Sequence, residues 1–153
     1  MLAAQDMAPD FTLPSTRGGP VTLSALRPAP VVLFFYPRDN TSGCTRENQQ
    51  FSALLPEFSA AGAQVFGISR DDMKSHARFI EKQGLTVPLL SDAQGDACER
   101  FGVWAEKKMY GKTFMGIVRS TFLIDGTGRI ARAWPKVRVD GHAAQVLDAV
   151  KAL

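Results

Sequence analysis

The strongest constraint on this chain is a six-residue apolar run, Val31-Val-Leu-Phe-Phe-Tyr36, stopped by Pro37. Uninterrupted β-branched and aromatic residues suit a strand buried on both faces, as in a parallel or mixed sheet. Pro37 cannot continue such a strand, because it has no N–H to donate. The run is far too short to cross a bilayer, which takes about 20 apolar residues. The opening residues 1–11 lack a basic segment followed by a long apolar one, so no secretory signal is expected and a cytoplasmic location is the default.

Other elements fall into place around that strand. Phe11-Thr-Leu13 and Val21-Thr-Leu23 flank Gly18-Gly19 and read as an N-terminal hairpin or extended pair. Phe51, Leu54, Leu55 and Phe58 follow i, i+3, i+4, i+7 spacing, which predicts a helix starting near 42–45. Pro56 should kink or end it. Gln64 to Ser69 reads as a second buried strand. Asp71 is a suitable N-cap for a helix with Met73, Ala77 and Ile80 facing inward and Gly84 as its stop. A short strand at 87–90 and a short helix at 96–101 follow. Residues 104–118 show no clean period and read as a long loop. Strands at 120–125 and 129–134 are joined by Gly126-Thr-Gly128, and a last helix carries Ala143, Val146, Leu147, Val150 and Leu153 on one face. A βαβ half followed by a ββα half around one mixed sheet flanked by helices is the thioredoxin-like layout, an α/β fold, here with an N-terminal hairpin extension. Residues 1–153 are read as one domain, with no repeat and no linker.

Charge and cysteine content narrow the chemistry. Net charge is +3, but residues 107–138 hold eight basic residues and a single acid, Asp125. No nucleic-acid motif accompanies them, so a solvated surface plus one functional arginine is the expected meaning. Cys44 and Cys98 are the two cysteines. They form no C-x-x-C pair and, with His76 and His142, show no zinc-ligand spacing, so no metal and no cofactor is expected. Both histidines are read as solvated or capping residues on helical segments. That leaves a cysteine hydrolase without a base, and a dithiol oxidoreductase lacks its second thiol because position 41 is Thr.

Cys44 lies where the buried strand hands over to a helix. A helix N-terminus offers unpaired N–H groups and the positive end of a dipole, both of which favour a thiolate over a thiol. Arg38 and Arg46 are near in sequence and could add positive potential. Pro37, Thr41 and Cys44 form P-x-x-x-T-x-x-C, and the longer segment FFYPRDNTSGCTRE (34–47) resembles the F-Y-P-x-D-x-T-x-G-C-T-x-E stretch of peroxiredoxins of the bacterioferritin comigratory (PrxQ) branch. APDFTLP (8–14), FGVW (101–104) and KKMYGKTFMGIVRSTFLID (107–125) are similar to that branch too, in the same order.

The resemblance implies a thiol peroxidase in which Cys44 attacks a hydroperoxide and becomes a sulfenic acid. It implies that Thr41 and the backbone N–H groups around Gly43 serve the peroxide oxygens as hydrogen-bond donors, that Arg119 completes the pocket, and that Pro37 shapes its wall. Glu47 fits the motif as candidate support, although an acid in a first helical turn is favourable in any case. Many members of the branch have a resolving cysteine five residues after the first, where this chain has Gln49, and others have it in the next helix, where residues 73–83 hold none. Cys98 is therefore read as a structural thiol, with a resolving role as the alternative. One-cysteine recycling follows, with thioredoxin, glutaredoxin or a small thiol as reductant, and a monomer or weak homodimer that engages neither nucleic acid nor membrane. The competing reading is a non-enzymatic thiol redox sensor or thiol-based binding module, which would react with peroxide once and stop.

Overall fold

The computed structural model describes residues 1–153. Its strands are β1 (Thr12–Leu13), β2 (Val21–Thr22), β3 (Val31–Phe35), β4 (Gln64–Ser69), β5 (Leu89–Ser91), β6 (Trp104–Met109), β7 (Lys112–Ile117), β8 (Ser120–Ile124) and β9 (Ile130–Trp134). Its α-helices are α1 (Ser42–Ala60), α2 (Met73–Gln83), α3 (Ala97–Arg100) and α4 (His142–Lys151). The main sheet runs β5-β4-β3-β8-β9, parallel on the β3–β4–β5 side and antiparallel on the β3–β8–β9 side. No helix is long and apolar enough to cross a membrane.

β3 is the central strand, and the pleat sends alternate side chains to opposite faces. Val31, Leu33 and Phe35 enter a core shared with the N-terminal hairpin, α3 and Phe122. Val32, Phe34 and Tyr36 enter a second core under α1, α2 and α4. Each fully buried Phe contributes about 1.5–3 kcal/mol, so the strand that precedes Pro37 is held from both sides. Phe34 stacks on Phe51 at 4.3 Å and 7°, tying β3 to the middle of α1. The chain between them, which carries Pro37 to Cys44, has both ends anchored.

Five details depart from the sequence expectations. α1 does not end at Pro56; it runs to Ala60. The carbonyl that Pro56 cannot satisfy belongs to Ser52, and it accepts the Thr86 hydroxyl at 3.3 Å. Asp72, not Asp71, caps α2 by accepting the Ser75 N–H. The fully buried residues of α2 are His76 and Phe79; Ile80 packs partly buried against the same core as expected, Met73 is half-buried, and Ala77 is exposed. Residues 104–117 form a β6–β7 hairpin rather than a loop, turning on Tyr110 and Gly111, both with positive φ as a two-residue hairpin turn requires. Leu153 lies past the end of α4 and is exposed.

Gly67 of β4 sits between Phe34 of β3 and Leu89 of β5, and a Cβ there would meet their side chains at 2.7–2.9 Å. Gly67→Ala should lower stability by about 1–3 kcal/mol, the usual cost of overpacking a filled core. Urea unfolding measures it, and a variant as stable as the parent would contradict this packing.

Candidate active site

Cys44 lies in the first turn of α1, with Thr41 as the N-cap residue. The first N–H taken up by the helix ladder is that of Thr45, bonded to the Thr41 carbonyl at 2.9 Å. The amides of Gly43 and Cys44 precede it and have no intrahelical partner. Cys44 is almost closed off from solvent, at 1% exposure.

Arg119 reaches Cys44 from the opposite half of the sheet, from the junction between β7 and β8. Its Nη2 donates to Cys44 Sγ at 3.3 Å and its Nη1 donates to Glu47 Oε1 at 2.6 Å. Glu47 is one helical turn after Cys44, on the same face, and is buried. The guanidinium therefore spans the thiol and a carboxyl with one rigid fork. Gly43 makes room for it, since a Cβ there would lie 3.2 Å from Nη2. The Arg119 carbonyl accepts the Val137 N–H at 2.9 Å, which ties this residue to the loop after β9.

The electrostatics follow from partly burying a cation. Burial pulls the Arg119 guanidinium down, but Glu47 and Cys44 outweigh it and it lies above its ordinary value. Burial pushes the Glu47 carboxyl up to about 7, opposed by the charge and hydrogen bond of Arg119. Glu47 Oε2 has no protein partner, which penalises the charged form more than the neutral one. Lys107, half-buried on β6, is lowered by burial and by repulsion from Arg119. His142 is pushed down to about 4 by burial and then by Arg119, so it is neutral at physiological pH. It shares a hydrogen bond with the Thr121 hydroxyl at 2.8 Å.

The structure brings Cys44, Glu47 and Arg119 into contact and leaves other expected neighbours aside. Arg46 is turned away to Asp140, and Arg38 is exposed. Thr41 does not donate toward the cysteine; its hydroxyl proton goes to the Arg38 carbonyl at 2.9 Å, so its oxygen is left as an acceptor. Pro37 is half-buried and, with Trp104, Phe114, Met115 and Ile117, lines a cleft beside the site. Cys98 belongs to the core on the other face of the sheet from Cys44. Burial, and then Asp92, push its thiol well above the ordinary value, which leaves it a poor nucleophile. His76 and His142 are not solvated caps: both are buried, and each finds its polar partners inside the protein. Both lie at helical spacing from apolar residues, His76 three and four positions before Phe79 and Ile80 and His142 four before Val146, and that spacing is the signal that could have placed them inside.

Comparison with known proteins places this geometry in company. The AhpC/TSA family model matches residues 4–133. A peroxiredoxin Bcp of Xanthomonas campestris is 50% identical over 143 residues, covering 94% of this chain and 89% of that protein. A cysteine-to-serine mutant of PrxQ from Xylella fastidiosa superposes with a TM-score of 0.93 at 43% identity, covering 99% of this chain and 97% of that one. The bacterioferritin comigratory protein of Xanthomonas campestris, solved in trapped intermediate and ligand complexes bearing on its alkyl peroxide reduction activity, superposes at 0.87 with 48% identity, covering 93% of this chain and 90% of that one.

The two shifted groups flanking Arg119 have opposite pH signatures. Glu47 is raised in the folded state, so its contribution is present below the ordinary carboxyl value and is lost as pH rises through about 7. His142 is lowered, so its contribution is present above about 6.5 and is lost as pH falls toward about 4. Between about 4.5 and 6.5 the two cancel. Stability should therefore be nearly flat across that window in the parent, rise toward acid in His142→Gln, and fall toward acid in Glu47→Gln. Urea unfolding at several pH values decides it; parallel slopes in all three proteins would contradict the assignment.

Proposed function

The chain belongs to the AhpC/TSA family and is a thiol peroxidase of the peroxiredoxin kind, and from that premise we propose that Cys44 is its peroxidatic cysteine. The observation that carries this reading is the Arg119 fork, with one arm on Cys44 Sγ and the other on Glu47 Oε1. A neighbouring cation favours the thiolate, and the thiolate is the nucleophile. The sulfur attacks the near oxygen of a hydroperoxide; an S–O bond forms, the O–O bond breaks, and the far oxygen leaves as hydroxide or alkoxide. Sulfur is oxidised to the sulfenic acid and the peroxide is reduced. Negative charge moves from sulfur onto the leaving oxygen. Arg119 and the amides of Gly43 and Cys44 are donors suited to that transfer. Thr41 takes the complementary part: with its own proton on the Arg38 carbonyl, it accepts the hydrogen of the incoming peroxide. Pro37 walls the loop, and Glu47 holds the far end of Arg119.

Peroxides and thiol reductants are the reactants of this class of enzyme. We assign recycling to an external thiol, from thioredoxin, glutaredoxin or a small thiol, in a one-cysteine cycle. Cys98 lies in the other core, across the sheet from Cys44. A disulfide needs Cα atoms within about 7 Å, so joining the two would require taking apart at least one core. The sulfenic acid is itself buried, so the external thiol reaches it when the first turn of α1 opens. The proposal extends to a cytoplasmic protein acting as one unit over residues 1–153, as a monomer or weak homodimer, without nucleic acid or membrane as partner.

Peroxide consumption with excess thiol tests the assignment. Cys44→Ser should show none, Arg119→Ala should lose about 10²- to 10³-fold, the scale of one lost transition-state donor, and Cys98→Ser should keep most turnover. Non-reducing peptide mapping after one equivalent of peroxide should show no dominant 44–98 disulfide. Parent-like turnover in Cys44→Ser would overturn the whole reading; a dominant 44–98 peptide with lost turnover in Cys98→Ser would overturn the recycling step.

A further inference from the structure

Behind the cysteine loop lies a second buried polar cluster: Tyr36, Asp39, Asp71 and His76. His76 is fully buried on the inward face of α2. Its Nε2 is 2.9 Å from the carbonyl oxygen of Leu90, which can only accept, so Nε2 carries a proton. Its Nδ1 is 2.8 Å from Asp39 Oδ2. Asp39 also receives the Tyr36 hydroxyl at 2.6 Å and the Ser75 hydroxyl at 2.8 Å. Burial, and then Asp39, hold the Tyr36 phenol well above its ordinary value, so that proton stays on tyrosine. Burial pushes the Asp39 carboxyl up, but His76, Tyr36 and Ser75 outweigh it and it lies below its ordinary value. A carboxylate can only accept, so both ring nitrogens face acceptor oxygens. That arrangement suits a cationic ring paired with a carboxylate away from water. The other charged group facing it is Asp71, whose carboxylate lies within 4.8 Å of the pair and favours the same cation.

What this pair holds is the loop that leads to the cysteine. The Asp39 N–H donates to Asp71 Oδ2 at 2.9 Å, and the Ser69 hydroxyl donates to the same oxygen. Asp39 is thus fixed by both backbone and side chain, two residues before the N-cap Thr41. Asn40 between them has φ +61°, a left-handed conformation that Asn tolerates and that turns the chain between the two residues. We propose that the buried His76–Asp39 ion pair is a positioning element for peroxide reduction, fixing residues 37–41 so that Thr41 and the free amides of Gly43 and Cys44 face the peroxide. This rests on the assignment of Cys44 as the peroxidatic residue.

The experiment compares two reactions of Cys44 in Asp39→Asn: oxidation by hydrogen peroxide, which needs the loop geometry, and alkylation by iodoacetamide, which needs only a reachable thiolate. Peroxide oxidation should slow roughly 10- to 100-fold, the scale of a misplaced reactive geometry, and alkylation should change far less. Nitrogen-15 NMR of the parent should show both ring nitrogens of His76 protonated at neutral pH. Peroxide oxidation at the parent rate, equal slowing of both reactions, or one unprotonated ring nitrogen in the parent would overturn the proposal. If Asp39→Asn does not fold, Ser75→Ala, which removes one donor and keeps both charges, should show the same split at smaller size, and no split would overturn it. A parent that consumes no peroxide would instead indict the Cys44 assignment, while the NMR arm still reports on the ion pair.

Discussion

The site depends on one half-buried cation. Arg119 is 18% exposed, and a charge partly withdrawn from water is stabilised by opposite charge and hydrogen bonds. It is matched twice, by the sulfur of Cys44 and the carboxyl of Glu47, and those two groups sit one helical turn apart on α1. The guanidinium adds a side-chain link across the β3–β8 pairing, since it leaves the chain just before β8 and ends on the helix that follows β3. Its field adds to burial in lowering His142 and Lys107 and works against burial at Glu47, limiting how far that carboxyl is pushed up.

A fork so placed needs a frame that does not move, and β3 provides it. The strand is buried on both faces, and the Phe34–Phe51 stack fixes α1 against it. Between those anchors the loop can be held in a left-handed turn at Asn40 without collapsing, with the polar cluster around Asp39 beneath it. The two cores also separate the two thiols chemically. Cys98 packs with Phe101 and Ala97 on the hairpin side, and Cys44 lies on the α1 side next to Arg119. One fold places one cysteine beside a guanidinium and the other in an apolar core.

Much of this was legible in the residues. The apolar run at 31–36, the strand-to-helix position of Cys44, the glycine-flanked N-terminal pair and the motif around Pro37, Thr41 and Cys44 each carry a local physical signature. What was not legible depends on distant partners. The β6–β7 hairpin has no alternating apolar face, because Lys108, Phe114 and Met115 are all exposed, and its turn is Tyr-Gly rather than Asn-Gly. Pro56 stays inside α1 because Thr86, thirty positions on, satisfies the freed carbonyl of Ser52. His76 and His142 are buried because Asp39 with Leu90, and Thr121, wait at the other end of their hydrogen bonds. Thr41 lies where the motif puts it, but the direction of its hydrogen bond is decided by the Arg38 carbonyl.

The most direct test of the central claim separates the charge of Arg119 from its shape. Arg119→Lys keeps a cation near Cys44 but cannot bridge Sγ and Glu47 with a planar fork. Single-turnover oxidation by hydrogen peroxide, followed as formation of the Cys44 sulfenic acid, reads the difference. The account predicts that Arg119→Lys slows this step nearly as much as Arg119→Ala. A lysine variant oxidised at the parent rate would show that positive charge alone suffices, and would contradict the role given to the fork.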